Sequence, residues 1–115
     1  MERARLNYVE FPSRDLAGDK RFYEQVFGWS LTDYGPTYAA TTTGDTDVGL
    51  QGDAAEAPAA PLPVIEVNDL GGALDRARAA GATVTREIFS FPGGRRFHVQ
   101  DASGNEIAVM QPDGA

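Results

Sequence analysis

The sequence predicts an α+β fold of two βαβββ modules, and three observations carry that reading. Asp15-Leu16 opens a helical stretch that closes at Phe27-Gly28, and Asp69-Leu70 opens a second that closes at Ala80-Gly81. An extended segment precedes each Asp-Leu pair, at 8–11 in the first copy and 62–67 in the second. In each copy a Gly/Asp-rich turn then leads into a short apolar strand, Val48-Gly49-Leu50 after Gly44-Asp45-Thr46-Asp47 and Ile107-Ala108-Val109 after the turn at 101–105. Two modules of one design imply pseudo-symmetry, with a site expected where their sheets face each other.

The elements follow in order. Residues 5–11 alternate weakly and end at Pro12, which suits a strand that stops there. Asp15 is placed to cap the first helix, because its carboxylate accepts from the free amides of the first turn. Phe22, Tyr23, Val26 and Phe27 form one apolar stripe, and Gly28 stands where a left-handed residue ends the helix. Three strands are expected at 29–34, 37–43 and 47–51, with Asp33-Tyr34-Gly35-Pro36 as the turn between the first two. The Ala/Pro-rich stretch 52–61 reads as a linker, so the modules run over about 5–51 and 62–112 of a single domain spanning 1–115. The second module repeats the pattern with a strand at 62–67, a helix at 70–80 and strands at 82–90, 95–100 and 105–111. Leu70, Ala73, Leu74 and Ala77 share one face of that helix.

Composition bounds the function. A net charge of -7 argues against nucleic acid, whose phosphates it would repel. With no cysteine there is neither disulfide nor thiolate chemistry. The charged start Met1-Glu2-Arg3-Ala4-Arg5 is followed by no apolar run, so neither a signal peptide nor a membrane span is expected and the cytoplasm is the default location. The sequence has no phosphate-cradling loop with a Lys-Ser/Thr pair and no Gly-x-Ser-x-Gly elbow.

The doubled order resembles the vicinal oxygen chelate superfamily, which includes glyoxalase I, extradiol dioxygenases and bleomycin-resistance proteins. The resemblance rests on Phe22-Tyr23-Glu24-Gln25-Val26-Phe27-Gly28-Trp29 and on Asp101-Ala102-Ser103-Gly104-Asn105-Glu106-Ile107-Ala108-Val109. Tyr8-Val9-Glu10-Phe11-Pro12, Asp33-Tyr34-Gly35-Pro36-Thr37-Tyr38 and Phe91-Pro92-Gly93-Gly94-Arg95-Arg96-Phe97-His98 are similar to a glyoxalase-like bacterial subgroup. The resemblance implies an open, curved, barrel-like sheet and a homodimer. It also implies a metal site at four positions, early in strands one and five and midway along strands four and eight. Here those positions are Tyr8, Leu62, Gly49 and Ala108, one phenol and three residues without a donor. A catalytic divalent site generally needs at least three N or O side-chain donors, so no metal and no cofactor is expected.

Strand alternation then selects the cleft residues. Tyr8 brings Glu10 to its face, and the repeat brings Glu66. With Phe97 and Val99 as core, Arg96, His98 and Gln100 turn inward, beside Glu106, Ala108 and Met110 on the last strand. Tyr8, Glu10, Glu66, Arg96, His98 and Ala108 are the expected ligand contacts, a mixture that suits a small organic molecule. Glu10 and Glu66 also read as ordinary strand-end carboxylates paired with Arg95 or Arg96, His98 as a structural histidine, and Arg95-Arg96 as an anion clamp. The favoured function is metal-independent binding of a small aromatic or amphipathic ligand, as in drug-sequestering members. The alternative is a glyoxalase-like lyase or isomerase, or a dioxygenase-type enzyme, with a displaced metal or with His98 as acid–base catalyst beside Glu10 or Glu66. A third class, a ferredoxin-like barrel with an interaction role, lacks the third strand of each module, so a strand at 47–51 decides against it.

Overall fold

The computed structural model describes residues 3–114; Met1 and Glu2, part of the charged start, lie outside the described residues. Among those described, the first module runs β1 (Arg5–Pro12), α1 (Leu16–Phe27), β2 (Thr32–Asp33), β3 (Tyr38–Ala40) and β4 (Asp47–Gln51). The second runs β5 (Leu62–Glu66), α2 (Leu70–Ala79), β6 (Val84–Phe91), β7 (Gly94–Gln100) and β8 (Glu106–Pro112). The α+β class and the doubled βαβββ order are those the sequence predicts. The presence of β4 removes the ferredoxin-like alternative. No helix among the described residues is long and apolar enough to cross a membrane. Residues Tyr8–Leu62 form one compact unit, and Pro63 onward, with the segment ending at Asn7, forms the other.

In the first unit the strand order is β2-β3-β4-β1. β1 and β4 are parallel, with Glu10 opposite Gly49 and Phe11 opposite Leu50. Asp15 caps α1 by accepting from the Gly18 amide at 3.0 Å. Gly28 closes the helix at φ 71°, a conformation that costs glycine least. The Phe11 ring meets Tyr23 of α1 at 6.0 Å and Leu50 is buried, so the odd positions of β1 face the helix.

Two expectations are corrected here. The strand expected over 29–34 pairs only at Thr32 and Asp33, against Ala40 and Ala39. Trp29 stacks on Tyr23 instead (5.2 Å between ring centroids, 6° between planes), which keeps the start of this segment on the helix. β3 stops at Ala40 because Asp47 gathers Thr41 Oγ1, Thr43 Oγ1 and the Thr43 amide, each at 2.8 Å, into a turn. Within the single chain, Phe22, Val26 and Phe27 of the α1 stripe are 52%, 56% and 56% exposed.

In the second unit the order is β5-β8-β7-β6. Asp69 caps α2 through the Gly72 amide at 3.1 Å, and the Leu70 amide donates to Gln111 Oε1 at 2.9 Å. Leu70 and Leu74 then meet Val67, Phe97 and Val109 in a buried cluster, with Ala73, Ala77, Val84, Ile88 and Val99 around it. β6 reaches Gly94 through a two-residue hairpin, Phe91 pairing with Gly94. The register of β6 shifts twice, between Val84 and Arg86 and between Arg86 and Phe89.

Phe97 is 1% exposed at the centre of this cluster. Phe97→Ala is expected to destabilise the protein by about 3–5 kcal/mol, read as a fall in the urea midpoint with an unchanged slope.

Candidate functional site

The face of each sheet turned away from its helix carries the polar residues. In the first unit Tyr8 and Glu10 alternate with Val9 and Phe11, and Gly49 lies beside Glu10 on the neighbouring strand. The Tyr8 and Tyr38 hydroxyls hydrogen-bond to each other directly over Gly49. A Cβ on residue 49 would fall onto both hydroxyls, so the pair exists because glycine leaves the space. Burial, the Tyr38 hydroxyl and the nearby Glu10 and Asp47 charges push the Tyr8 phenol well above its ordinary range. Tyr8 is therefore a neutral phenol at physiological pH.

In the second unit two rows cross the sheet. Val64, Ala108, His98 and Arg86 stand in register on β5, β8, β7 and β6. Glu66, Met110, Arg96 and Phe89 form the next row. His98 is 8% exposed, and its Nδ1 lies 3.3 Å from Glu106 Oε2, which also accepts from Thr85 Oγ1 at 2.9 Å. Because the carboxylate accepts, it favours the tautomer with the proton on Nδ1 and leaves Nε2 bare. Nε2 is buried without a hydrogen-bond partner, as is Arg96 Nε. Burial lowers the His98 pKa below its ordinary value, with the Arg96 and Arg86 charges acting the same way against the opposing pull of Glu106. The Phe89 ring lies 5.7 Å from the imidazole.

The expected contacts thus fall into two groups. Arg96, His98, Ala108 and Glu66 share one face of the second unit, and Tyr8 and Glu10 share one face of the first. Glu66 accepts from Asn7 Nδ2 at 2.8 Å with Arg5 at 4.0 Å, so its partners are neither Arg95 nor Arg96. Within its own unit, the carboxylate that meets His98 is Glu106. Arg86 escaped the sequence reading because the register shifts in β6 turn it toward His98, although Val84 and Ile88, two positions to either side, pack on the core. Phe89 reaches the same face by ordinary alternation from Ile88.

Among the described residues no group of three or more His, Cys, Asp or Glu side chains is placed to hold a metal ion. The position at 49 is spanned by a phenol pair, Leu62 and Ala108 are buried apolar residues, and these side chains do not fit a divalent ion.

The paired modules and their order define an α+β protein of the doubled βαβββ class. The chain belongs to the Glyoxalase/Bleomycin resistance protein/Dioxygenase superfamily, whose model matches residues 5–109. A superfamily member from Vibrio splendidus 12B01 is similar at 19% identity, covering 97% of this chain and 99% of that one with a TM-score of 0.70. Methylmalonyl-CoA epimerase from Mycobacterium tuberculosis is similar at 18%, covering 93% and 87%, with a TM-score of 0.71. The Mn(II)-bound glyoxalase from Novosphingobium aromaticivorans is similar at 18%, covering 96% of this chain and 40% of that one, with a TM-score of 0.73. At these identities the likeness shows the fold. No curated protein matches the chain in sequence.

Gly49→Ala is expected to destabilise the protein by about 1–3 kcal/mol, because the new methyl group meets both hydroxyls. Adding Tyr8→Phe and Tyr38→Phe should recover part of that loss in the urea midpoint; no recovery would mean that the hydroxyls are not what crowds position 49.

Proposed function

We propose that the protein binds a small, partly aromatic or amphipathic molecule without a metal ion. Arg96, His98 and Ala108 are the contacts in the second unit, with Glu66 at the edge of the same face. Tyr8 and Glu10 are proposed contacts of the first unit in their own right. The observation that carries the reading is the pair of buried, unpartnered nitrogens, Arg96 Nε and His98 Nε2, beside the Phe89 ring. A buried polar atom left without a partner costs about 1–3 kcal/mol, which a ligand atom in hydrogen-bond reach would recover. The exposed Phe22, Val26 and Phe27 support a homodimer, and the cytoplasm remains the proposed location.

The enzyme alternative draws on one specific feature. Glu106 holds His98 so that a bare Nε2 faces outward from the pair, the arrangement a general base needs. In that reading His98 takes a proton from a bound substrate in a lyase or isomerase reaction.

Native mass spectrometry of untagged protein, purified without chelators, tests the proposal. A metal-free dimer carrying an organic adduct is the expected result. About one divalent ion per site would overturn metal independence. His98→Ala should lower adduct occupancy about tenfold with an unchanged circular dichroism spectrum. Retained binding with a lost activity would instead establish the enzyme reading.

A further inference from the structure

We infer that the face carrying Arg86, Arg96 and His98 selects a carboxylate attached to a flat apolar body. The inference rests on the binding reading above and narrows its ligand class. It begins with what each unpartnered nitrogen can accept. Arg96 Nε carries a hydrogen and can only donate, so its missing partner is an acceptor. His98 Nε2 is an acceptor while the ring is neutral and a donor once it is protonated, with Nδ1–H already directed to Glu106. One carboxylate has two acceptor oxygens, the kind of partner that Arg96 Nε and a charged His98 Nε2 both lack.

The charge distribution points the same way. The chain holds 17 acidic residues against 10 basic ones, yet among the described residues of the second unit neither Arg86 nor Arg96 forms an ion pair with a carboxylate. Their guanidinium groups lie on aromatic rings instead. Arg86 sits 3.6 Å from the Phe89 centroid, and Arg96 sits 5.3 Å from Phe89 and 5.1 Å from Phe91. Cation–π contacts hold a guanidinium without neutralising it, so the positive charge stays available. Phe89 and Phe91 offer apolar surface beside it. A cationic ligand would be repelled here, and a neutral one would leave the charge uncompensated.

Protonation follows from the same arrangement. The charged groups facing His98 are Arg86 from β6, Arg96 from β7 and Glu106 from β8. In the free protein burial and the two arginines disfavour the charged ring. A bound carboxylate reverses the balance, and the imidazole takes up a proton as binding occurs. Affinity therefore rises as pH falls from the bound to the free His98 titration midpoint. It then levels until the ligand's own carboxyl protonates.

Benzoate, benzamide and benzylamine test this with one ring and three headgroups, and the chain's single histidine makes the ring-nitrogen NMR signals unambiguous. Benzoate should bind at least about tenfold tighter than benzamide, and benzylamine should not bind. The His98 midpoint should move to higher pH with benzoate alone, and calorimetry in buffers of different ionisation enthalpy should show proton uptake. Arg96→Met should weaken benzoate about tenfold or more, and Arg96→Lys should fail to restore it because lysine lacks the Nε fork. Equal binding of benzoate and benzamide, with an unmoved His98 midpoint, would overturn the carboxylate inference and leave the binding reading standing. Failure of all three probes to bind at millimolar concentration would remove both.

Discussion

In each module one helix claims one face of the sheet, and the two-residue period of a strand then decides which side chains remain for chemistry. Phe97 and Val109 belong to the cluster under α2, and that placement alone turns His98 and Ala108 to the opposite face. Phe11 meets α1, which does the same for Tyr8 and Glu10. A slip of one residue in either register would exchange core and polar faces throughout the strand. The polar face of the second module is therefore set by the packing of Leu70, Leu74 and Phe97, none of which belongs to that face.

One structure that shares this architecture is a Mn(II)-bound glyoxalase. In this chain a phenol pair stands over a glycine in the first module, and a buried alanine lies beside a carboxylate-held histidine in the second. Fold and chemistry are separable here because the helices and the core use one set of strand positions and the polar groups use the other.

Much of this was legible in the residues. The Asp15 and Asp69 caps, the helix ends, the strand at 47–51 and the core face of α2 all follow from local rules, and each lies within a residue or two of its expected place. The polar sides of β1, β7 and β8 followed from alternation. What alternation cannot give is a phase change: the register shifts in β6 turn Arg86 toward His98 although Val84 and Ile88 on either side of it face the core. Nor does a sequence reveal which hydroxyls meet across a sheet. Tyr38 falls in the strand expected at 37–43, and its hydroxyl lies against that of Tyr8, thirty positions away. The exposure of Phe22 and Phe27 was hidden for a different reason, since a helical stripe looks the same whether it meets its own chain or none.

The phenols above Gly49 also constrain the order in which this chain can change. A side chain at position 49 meets both hydroxyls, so a substitution there requires the Tyr8 and Tyr38 rings to shift. Losing either hydroxyl alone removes the bond between them, and the intermediate sequences carry that cost. Donor groups therefore cannot be introduced at this point of the sheet in a single neutral step. A mutational path toward a metal-binding variant would have to begin at the tyrosines rather than at the glycine they cover.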